Sequence, residues 1–293
     1  MKPLSLRRLR WLDVAGVLTL VAVGIAAAGY AAGSQGTGAT QLLPDLDQEV
    51  PAQLQIRTGI VDGRPSYLLG FRSAVRNVGS GPLIIDGHRR IRCGSGSSCG
   101  TDAPPTMWAD QLIRERGGSL SIARRIGRLT FVRSSDHDHW HLAGFDRYEL
   151  RRNGTDQALI SDRKSGFCLG DRYPTNAGGV AGAPPHPVYT GQCGLGRPDL
   201  THVREGISVG YGDVYAAYLE YQSLPLDGLP DGRYVLVHRA NADHRLREMS
   251  YANNAASLVL DLRWQRGQPY VVVIAACPDS ATCTPPALDD GHP

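Results

Sequence analysis

This sequence lacks several features that would assign it to common classes of protein. Its 293 residues include 31 Lys and Arg and 28 Asp and Glu, so the formal net charge is only +3. The chain therefore lacks the strongly basic character that is typical of nucleic-acid-binding proteins. It has no internal repeat and no domain linker after Thr40. Hydrophobic residues reach 42% and charged residues only 20%, which excludes a disordered chain and allows one large domain or two small ones.

Stretches with a helical period are also scarce, and residues 107–116 are the best candidate for a short helix. Short apolar runs instead recur between clusters of Gly, Pro, Asp and Asn, which is typical of strands joined by turns. Together with 35 Gly and 19 Pro, this pattern predicts an all-β, β-sandwich-like single domain with long loops, including 173–191, and little helix. The predicted strands include 66–71, 82–85, 129–132, 214–221, 233–237 and 257–264.

The first 40 residues have the order of an export signal. Arg7, Arg8 and Arg10 precede an apolar run over 14–32, and a Gly/Ser/Thr segment follows over 33–40. Residues 1–40 are therefore predicted to be a signal peptide or a membrane anchor with a short linker, and both outcomes stay open. We expect an extracytoplasmic protein, either secreted or anchored to the outer face of the cytoplasmic membrane, with no other membrane contact. The predicted domain spans 41–285, and 286–293 form a tail.

Cysteine usage agrees with that location. An even count of six predicts three disulfides in an oxidising compartment, with pairing between sequence neighbours as the simplest of many connectivities. The chain has no C-x2-C spacing, which argues against a thiolate metal site. The neighbouring pairs are Cys93 with Cys99, Cys168 with Cys193, and Cys277 with Cys283.

Three histidines alternate with other residues in a segment that has the composition of a strand. Successive side chains of a strand point to opposite faces, so His137, His139 and His141 share one face. In a flat strand the outer two Cα atoms would lie ~13 Å apart, so the segment must bend for all three to hold one ion. Neutral imidazole suits copper, zinc, iron or nickel, and three nitrogens with an open position suit a catalytic site. The alternatives are a solvated His-rich loop and a binding domain with a structural zinc.

Several segments together resemble the lysyl oxidases, which are copper- and quinone-dependent amine oxidases. The resemblance covers residues 42–264, and its combined motifs are far more specific than the histidines alone. The matching segments are His137-Asp-His-Trp-His141 with Phe145-Asp-Arg-Tyr-Glu-Leu150, Lys164-Ser-Gly-Phe-Cys-Leu-Gly-Asp171, Gly206-Ile-Ser-Val-Gly-Tyr-Gly-Asp-Val-Tyr215 and Ser250-Tyr-Ala-Asn-Asn254.

The resemblance implies a function and a set of site residues. His137, His139 and His141 would ligate copper, and Lys164 and Tyr215 would be joined into lysine tyrosylquinone. The domain over 41–285 would then oxidise a primary amine or peptidyl lysine to an aldehyde with O₂, releasing H₂O₂ and NH₃. The alternative is a non-catalytic extracytoplasmic copper-binding protein on the same scaffold, in which the quinone never forms.

The resemblance also implies a second metal site. Asp45, Glu248, Asn253 and Asn254 offer oxygen ligands that suit calcium. Ser250 replaces an acidic ligand, which weakens or removes such a site. An asparagine network at a turn explains the same residues equally well.

Two departures from the family concern the mechanism and the disulfides. Arg147 stands near the place of a histidine that has been considered as the general base in animal members, so Asp146 or another carboxylate would have to serve. Tyr211 and Tyr221 stand where the family has a disulfide pair.

Overall fold

The computed structural model describes residues 41–89, 105–134, 137–161, 166–175, 180–219 and 222–284. These residues form strands and no helix. In chain order the strands are β1 (Gln41–Leu42), β2 (Leu46–Gln48), β3 (Ala52–Val61), β4 (Arg64–Asn77), β5 (Leu83–His88), β6 (Thr106–Glu115), β7 (Leu120–Arg133), β8 (Asp138–Leu142), β9 (Asp146–Arg152), β10 (Ala158–Ser161), β11 (Tyr173–Pro174), β12 (His202–Ile207), β13 (Tyr211–Tyr215), β14 (Ser223–Pro225), β15 (Gly232–Ala240), β16 (Ala255–Gln265) and β17 (Gln268–Cys277).

The strands form three antiparallel sheets. The first has the order β12-β5-β6-β7-β8, with β1 paired to β6. The second has the order β10-β9-β15-β16-β17, and the third has the order β11-β13-β4-β14 with β2 and β3 also paired to β4. One hydrophobic cluster draws residues from all three sheets. The all-β, sandwich-like prediction is confirmed.

Large side chains fill this cluster because strands expose a full face to it. Phe71 of β4 contacts Tyr148 of β9 edge to face, with ring centroids 5.0 Å apart. Phe131 of β7 packs in the same manner on Trp140 of β8, at 5.5 Å. The first contact joins strands of two different sheets, and the second joins the two strands of one hairpin. Both belong to a single core that supports the histidine segment.

The predicted helix over 107–116 is wrong, because this segment is strand β6, paired with β5 on one side and β7 on the other. Residues 109–113 are all buried, so apolar and polar positions do not alternate as they would in a half-exposed strand. The predicted strand 214–221 is too long, since β13 ends at Tyr215 and the N–H of Leu219 donates to the carbonyl of Ala216 in a turn.

Two of the three neighbouring cysteine pairs are joined as predicted, Cys168 with Cys193 and Cys277 with Cys283. Cys93 and Cys99 lie outside the described residues, as do the predicted signal or anchor segment and the tail. Within the described ranges, no helix has the length and apolar character needed to span a membrane.

Candidate metal and cofactor site

The three histidines lie at the start of the second strand of a hairpin. β7 and β8 pair so that His139 faces Val132 and His141 faces Thr130. His137 precedes β8 and lies in the hairpin loop, where the N–H of Ser134 donates to its carbonyl at 2.6 Å. The bend that the sequence requires therefore falls at His137, because a loop residue is free of the straight strand geometry.

This bend brings the three imidazoles together. One ring nitrogen from each of His137, His139 and His141 lies within 4.8 Å of the other two. The ring centroids are 4.7 to 5.4 Å apart, and Nδ1 of His137 is 3.4 Å from Nε2 of His139. His137 and His141 are buried and His139 is half-buried. Three neutral nitrogens at this separation fit a single ion of the copper and zinc class, and the half-buried His139 leaves one side of the group accessible.

Trp140 fixes the strand between two of the histidines. Its indole Nε1 donates to the carbonyl of Arg197 at 3.0 Å, and its backbone N–H donates to the carbonyl of Cys193 at 2.9 Å. The Arg89 guanidinium lies 5.0 Å from the centre of the ring. These contacts hold the face of β8 that is opposite to the imidazoles, so His139 and His141 keep their direction.

Tyr215 is connected to this hairpin through one residue. Leu142, which follows His141, exchanges two backbone hydrogen bonds with Phe167, at 2.8 and 3.1 Å. The ring of Phe167 packs edge to face on Tyr215 with centroids 4.7 Å apart. The Tyr215 hydroxyl donates to the carbonyl of Cys168 at 2.7 Å. The structure thus places Tyr215 two residue contacts away from the histidine strand.

Tyr215 lies in an acidic and buried environment. Burial raises the pKa of its phenol well above the usual range, and the charges of Asp213 and Glu205 raise it further, while Arg172 opposes them. Lys164, the other predicted cofactor residue, lies outside the described residues. In the sequence it stands three residues before Phe167.

A buried network around His238 is a feature that sequence reasoning missed. Nε2 of His238 is 2.6 Å from Asp146 Oδ2 and 3.1 Å from Ser73 Oγ, and Nδ1 accepts from the amide of Gln48 at 2.7 Å. Because Nδ1 is an acceptor, these partners assign the proton to Nε2, facing Asp146. Asp146 is therefore engaged inside the core, which favours a structural role for it over that of a base meeting substrate. An isolated histidine in β15 carries no sequence signal for such a partner.

Sequence reasoning also missed Glu205, which the structure places near Tyr215. Glu205 alternates with Val203 and Ile207 along β12, and all three are buried while Arg204 is exposed. That alternation with two apolar residues was a usable signal, since it turns the glutamate toward the core.

The residues predicted for calcium do lie together. The side-chain amide of Asn253 donates to Asp45 at 2.9 Å, and that of Asn254 donates to Glu248 at 2.8 Å. Glu248 also accepts from the Asn241 amide at 2.6 Å and from the Leu46 backbone N–H at 2.7 Å. Burial raises the pKa of Glu248 to about 7, and these donors oppose the shift. The cluster is a hydrogen-bond network that concentrates side-chain oxygen atoms.

Comparison with known proteins follows the same residues. The family model described as "Lysyl oxidase" matches residues 119–274, which is more than half of the chain and includes the histidine hairpin, Lys164, Tyr215 and Glu248. Among curated proteins, rat protein-lysine 6-oxidase is 26% identical over 148 residues, covering 49% of this chain and 31% of the rat protein. Human protein-lysine 6-oxidase is 24% identical over 164 residues, covering 55% and 34%.

Chicken lysyl oxidase homolog 2 is 23% identical over 224 residues, covering 75% of this chain and 24% of the chicken protein. The matched region thus spans about a third of the rat and human proteins and about a quarter of the chicken protein. The three grouped imidazoles, the nearby tyrosine and the family match all concern one region of the fold. The chain belongs to the lysyl oxidase family.

Proposed function

We propose that this lysyl oxidase-like protein is a copper-dependent amine oxidase whose cofactor is lysine tyrosylquinone, formed from Lys164 and Tyr215. It converts a primary amine or a peptidyl-lysine side chain to an aldehyde, with O₂ and water consumed and H₂O₂ and NH₃ released. Residues 41–285 are its catalytic domain.

The observation that carries this proposal is the continuity between the imidazoles and Tyr215. His141 is followed by Leu142, Leu142 is hydrogen-bonded to Phe167, and Phe167 packs on Tyr215. A metal-binding protein needs only the imidazoles. A tyrosine connected to their strand through Phe167, in a segment that resembles the family's cofactor segment, supports the oxidase.

Each residue of the site has a separate task. His137, His139 and His141 would hold copper, which supplies the oxidising chemistry with dioxygen that a tyrosine ring requires to become a quinone. The Cys168 carbonyl holds the phenolic proton of Tyr215 and fixes the direction of its oxygen. The Tyr215 ring packs nearly perpendicular to the ring of Phe167, which excludes water from that side.

The lysine content of the chain supports Lys164 as the cofactor amine. Lys164 is the only lysine after Lys2, although the chain has 31 Lys and Arg residues. Apart from Lys2, every other positive side chain outside the histidines is arginine, and a guanidinium stays protonated where an amine can lose its proton and react. The presence of lysine at this position supports a role that needs a neutral amine, which arginine cannot supply.

Two further parts of the proposal concern location and calcium. The disulfides Cys168–Cys193 and Cys277–Cys283 support a site of action outside the cytoplasmic membrane. For calcium, the side-chain oxygens of Asn253 and Asn254 are buried and accept no hydrogen bond within the described part of the chain. Together with the carboxylates of Asp45 and Glu248, they offer the hard oxygen donors that calcium prefers.

The test is peptide mapping of the intact chain after incubation with copper in air. We expect a covalent link between the peptides containing Lys164 and Tyr215, with the mass of a quinone and loss of tryptic cleavage at Lys164. Lys164→Arg and Tyr215→Phe serve as matched controls, since each removes one partner and must give unlinked peptides.

Unlinked peptides in copper-loaded, aerated wild-type protein would contradict the oxidase proposal. That result would favour the alternative, a non-catalytic copper-binding protein on the same scaffold. The assignment of any link is unambiguous because Lys2 is the only other lysine.

A further inference from the structure

The histidine strand β8 lies at one end of its sheet and is held on both sides. It pairs with β7 on one side and is the last strand in the order of the first sheet. On its other side, residues 193–197, which we call the edge loop, contact its first half. The carbonyl of Cys193 accepts from the N–H of Trp140 at 2.9 Å, and the N–H of Gly196 donates to the carbonyl of Asp138 at 2.7 Å. The edge loop therefore takes the place of a neighbouring strand.

A disulfide joins the edge loop to the segment that holds the other end of β8. Leu142, the last residue of β8, is hydrogen-bonded to Phe167. The next residue, Cys168, is linked to Cys193 at the start of the edge loop. The carbonyl of Cys168 also accepts from the Tyr215 hydroxyl. One covalent bridge thus connects the two segments that hold β8 along the side away from β7.

The edge loop fits closely against β8. Gly194 has a φ of 67°, in the left-handed region that favours glycine, and a Cβ there would lie 3.0 Å from the Trp140 ring. Gly196 also has a φ of 67°. At the end of the loop, the carbonyl of Arg197 accepts from the Trp140 indole at 3.0 Å. The two glycines therefore allow the loop backbone to lie directly against the strand.

The residues that the edge loop holds alternate with the predicted metal ligands. In an antiparallel strand, the backbone groups of every second residue point to the same side. Asp138 and Trp140 therefore bond the edge loop, while the backbone of His139, between them, points toward β7. His137 directly precedes Asp138, so the edge loop fixes the backbone next to two imidazoles. Metal–ligand distances vary by only about 0.2 Å, and the position of this backbone therefore matters for binding.

We propose that the Cys168–Cys193 disulfide is a positioning element of the metal site, because it anchors the edge loop that sets the direction of His137 and His139. Its two sulfurs are bonded to each other and offer no thiolate to a metal. The bridge acts on the imidazoles through the backbone of 138–140. The inference rests on the proposed function only in naming copper, since any ion of the copper and zinc class would need the same arrangement.

The first test uses metal-free, full-length protein and opens the bridge by substitution, because both cysteines are buried, at 3% and 4% exposure. We expect the Trp140 amide proton to exchange with solvent at least about tenfold faster in the Cys168→Ala, Cys193→Ala double variant. The Cys277→Ala, Cys283→Ala variant is the matched control, since it opens the bridge at the end of β17 in the second sheet. It must leave this rate as in wild type. An unchanged rate in the first variant would overturn the proposal.

The second test adds copper(II) under nitrogen, so that no quinone forms. We expect the Cys168→Ala, Cys193→Ala variant to bind copper about tenfold more weakly than wild type in competition with a chelator. The hyperfine splitting of its copper EPR spectrum should also change, whereas the control variant must keep the wild-type affinity and spectrum. A merely structural bridge would lower the free energy of unfolding in urea and leave the spectrum of the bound copper unchanged. That result would reject the positioning role.

A third pair of variants keeps all the cysteines. Gly196→Ala places a side chain where the backbone is left-handed, so the loop must shift and its hydrogen bond to Asp138 must weaken. Gly191→Ala is the matched control, since its methyl group would meet open space. We expect only Gly196→Ala to alter the copper EPR spectrum. Wild-type spectra in both variants would reject the role of the edge loop, even if the double cysteine variant failed to fold.

These outcomes are separate from those of the proposed function. Absence of quinone from copper-loaded, aerated wild type would contradict the amine oxidase. The exchange rates, affinities and spectra are measured without oxygen chemistry, so they would still decide the role of the disulfide.

Discussion

The phenolic hydroxyl of Tyr215 donates a 2.7 Å hydrogen bond to the backbone carbonyl of Cys168, the residue next to Phe167. Phe167 itself is hydrogen-bonded to Leu142, the residue next to His141. The segment 167–168 thus holds the tyrosine from one side and the histidine strand from the other. Its position sets how Tyr215 lies relative to the three histidines.

Tyr215→Phe should separate folding from chemistry. The variant loses one buried hydrogen bond, so we expect a loss of about 1 kcal/mol in unfolding free energy and near-normal copper binding. Amine oxidation should be abolished, because the hydroxyl required for a quinone is absent. Tyr211→Phe is the matched control, since its hydroxyl makes a long 3.4 Å contact with Pro184 and should be dispensable. Peroxide release measures amine oxidation, and metal analysis measures copper binding. Amine turnover by Tyr215→Phe would show that another group carries the reaction.

His139→Ala should remove the metal with little effect on the fold. His139 is the half-buried member of the three histidines, so truncation leaves a smaller cavity than at His137 or His141. We expect copper retained after dialysis to decrease by at least about tenfold, because two imidazoles without the third bind weakly. Metal analysis and the copper EPR spectrum report this. His202→Ala, at an exposed histidine paired with Asp86, must retain copper; its loss there would indicate that the metal is held elsewhere.

His238→Ala should destabilise the fold strongly. The change leaves the buried Asp146 carboxylate without the imidazole that it contacts at 2.6 Å, and removing one partner of such a pair typically lowers stability by about 3–5 kcal/mol. Urea unfolding of metal-free protein measures this. Asp243→Asn breaks an exposed pair with Arg147 and should change stability by no more than about 1 kcal/mol. Equal effects of the two variants would mean that the His238 network contributes no more than a surface pair.

The stability of the metal-free protein should depend on pH through Glu248. Its pKa is raised from 4.5 to about 7 in the folded state, so the folded protein retains this proton at pH values where the unfolded chain has lost it. The stability contributed by Glu248 is therefore complete below pH 4.5 and is lost as the pH rises through 7, by about 3 kcal/mol. We expect the difference in unfolding free energy between wild type and Glu248→Gln to decrease with rising pH in this way. Urea unfolding at several pH values, with a chelator present, measures it. A pH-independent difference would mean that Glu248 titrates normally.

Calcium should reverse that trend if it binds beside Glu248. A cation favours the ionised carboxylate, so added calcium should raise the midpoint of unfolding more at pH 8 than at pH 5. Asn253→Ala, which removes one oxygen donor, should reduce the effect.

The sequence predicted the local parts of this molecule better than the long-range parts. Alternation placed His139 and His141 on one face, and short apolar runs located most strands, because both signals lie within a few residues. The helix predicted over 107–116 failed, since β6 is buried on both faces and its apolar run has no strand period. Tyr215 was predicted as a cofactor residue from the family resemblance, because no local sequence pattern distinguishes it from other strand tyrosines. Asp146 and His238 are 92 positions apart in the sequence, and neither local sequence predicts that they pair.

The three histidines all belong to one hairpin loop and its second strand, whereas Tyr215 follows them by more than 70 residues. Closing the hairpin requires a short loop and little chain entropy, while placing Tyr215 requires β4 and β13 to pair and the 167–168 segment to dock. During folding, the histidines can therefore assemble early and take up metal while the tyrosine is still distant. Oxidation of the wrong side chain is avoided only if oxygen chemistry waits for the completed core. Under the proposed function, cofactor maturation therefore depends on the long-range pairing that places Tyr215, and assembly of the histidines alone does not suffice.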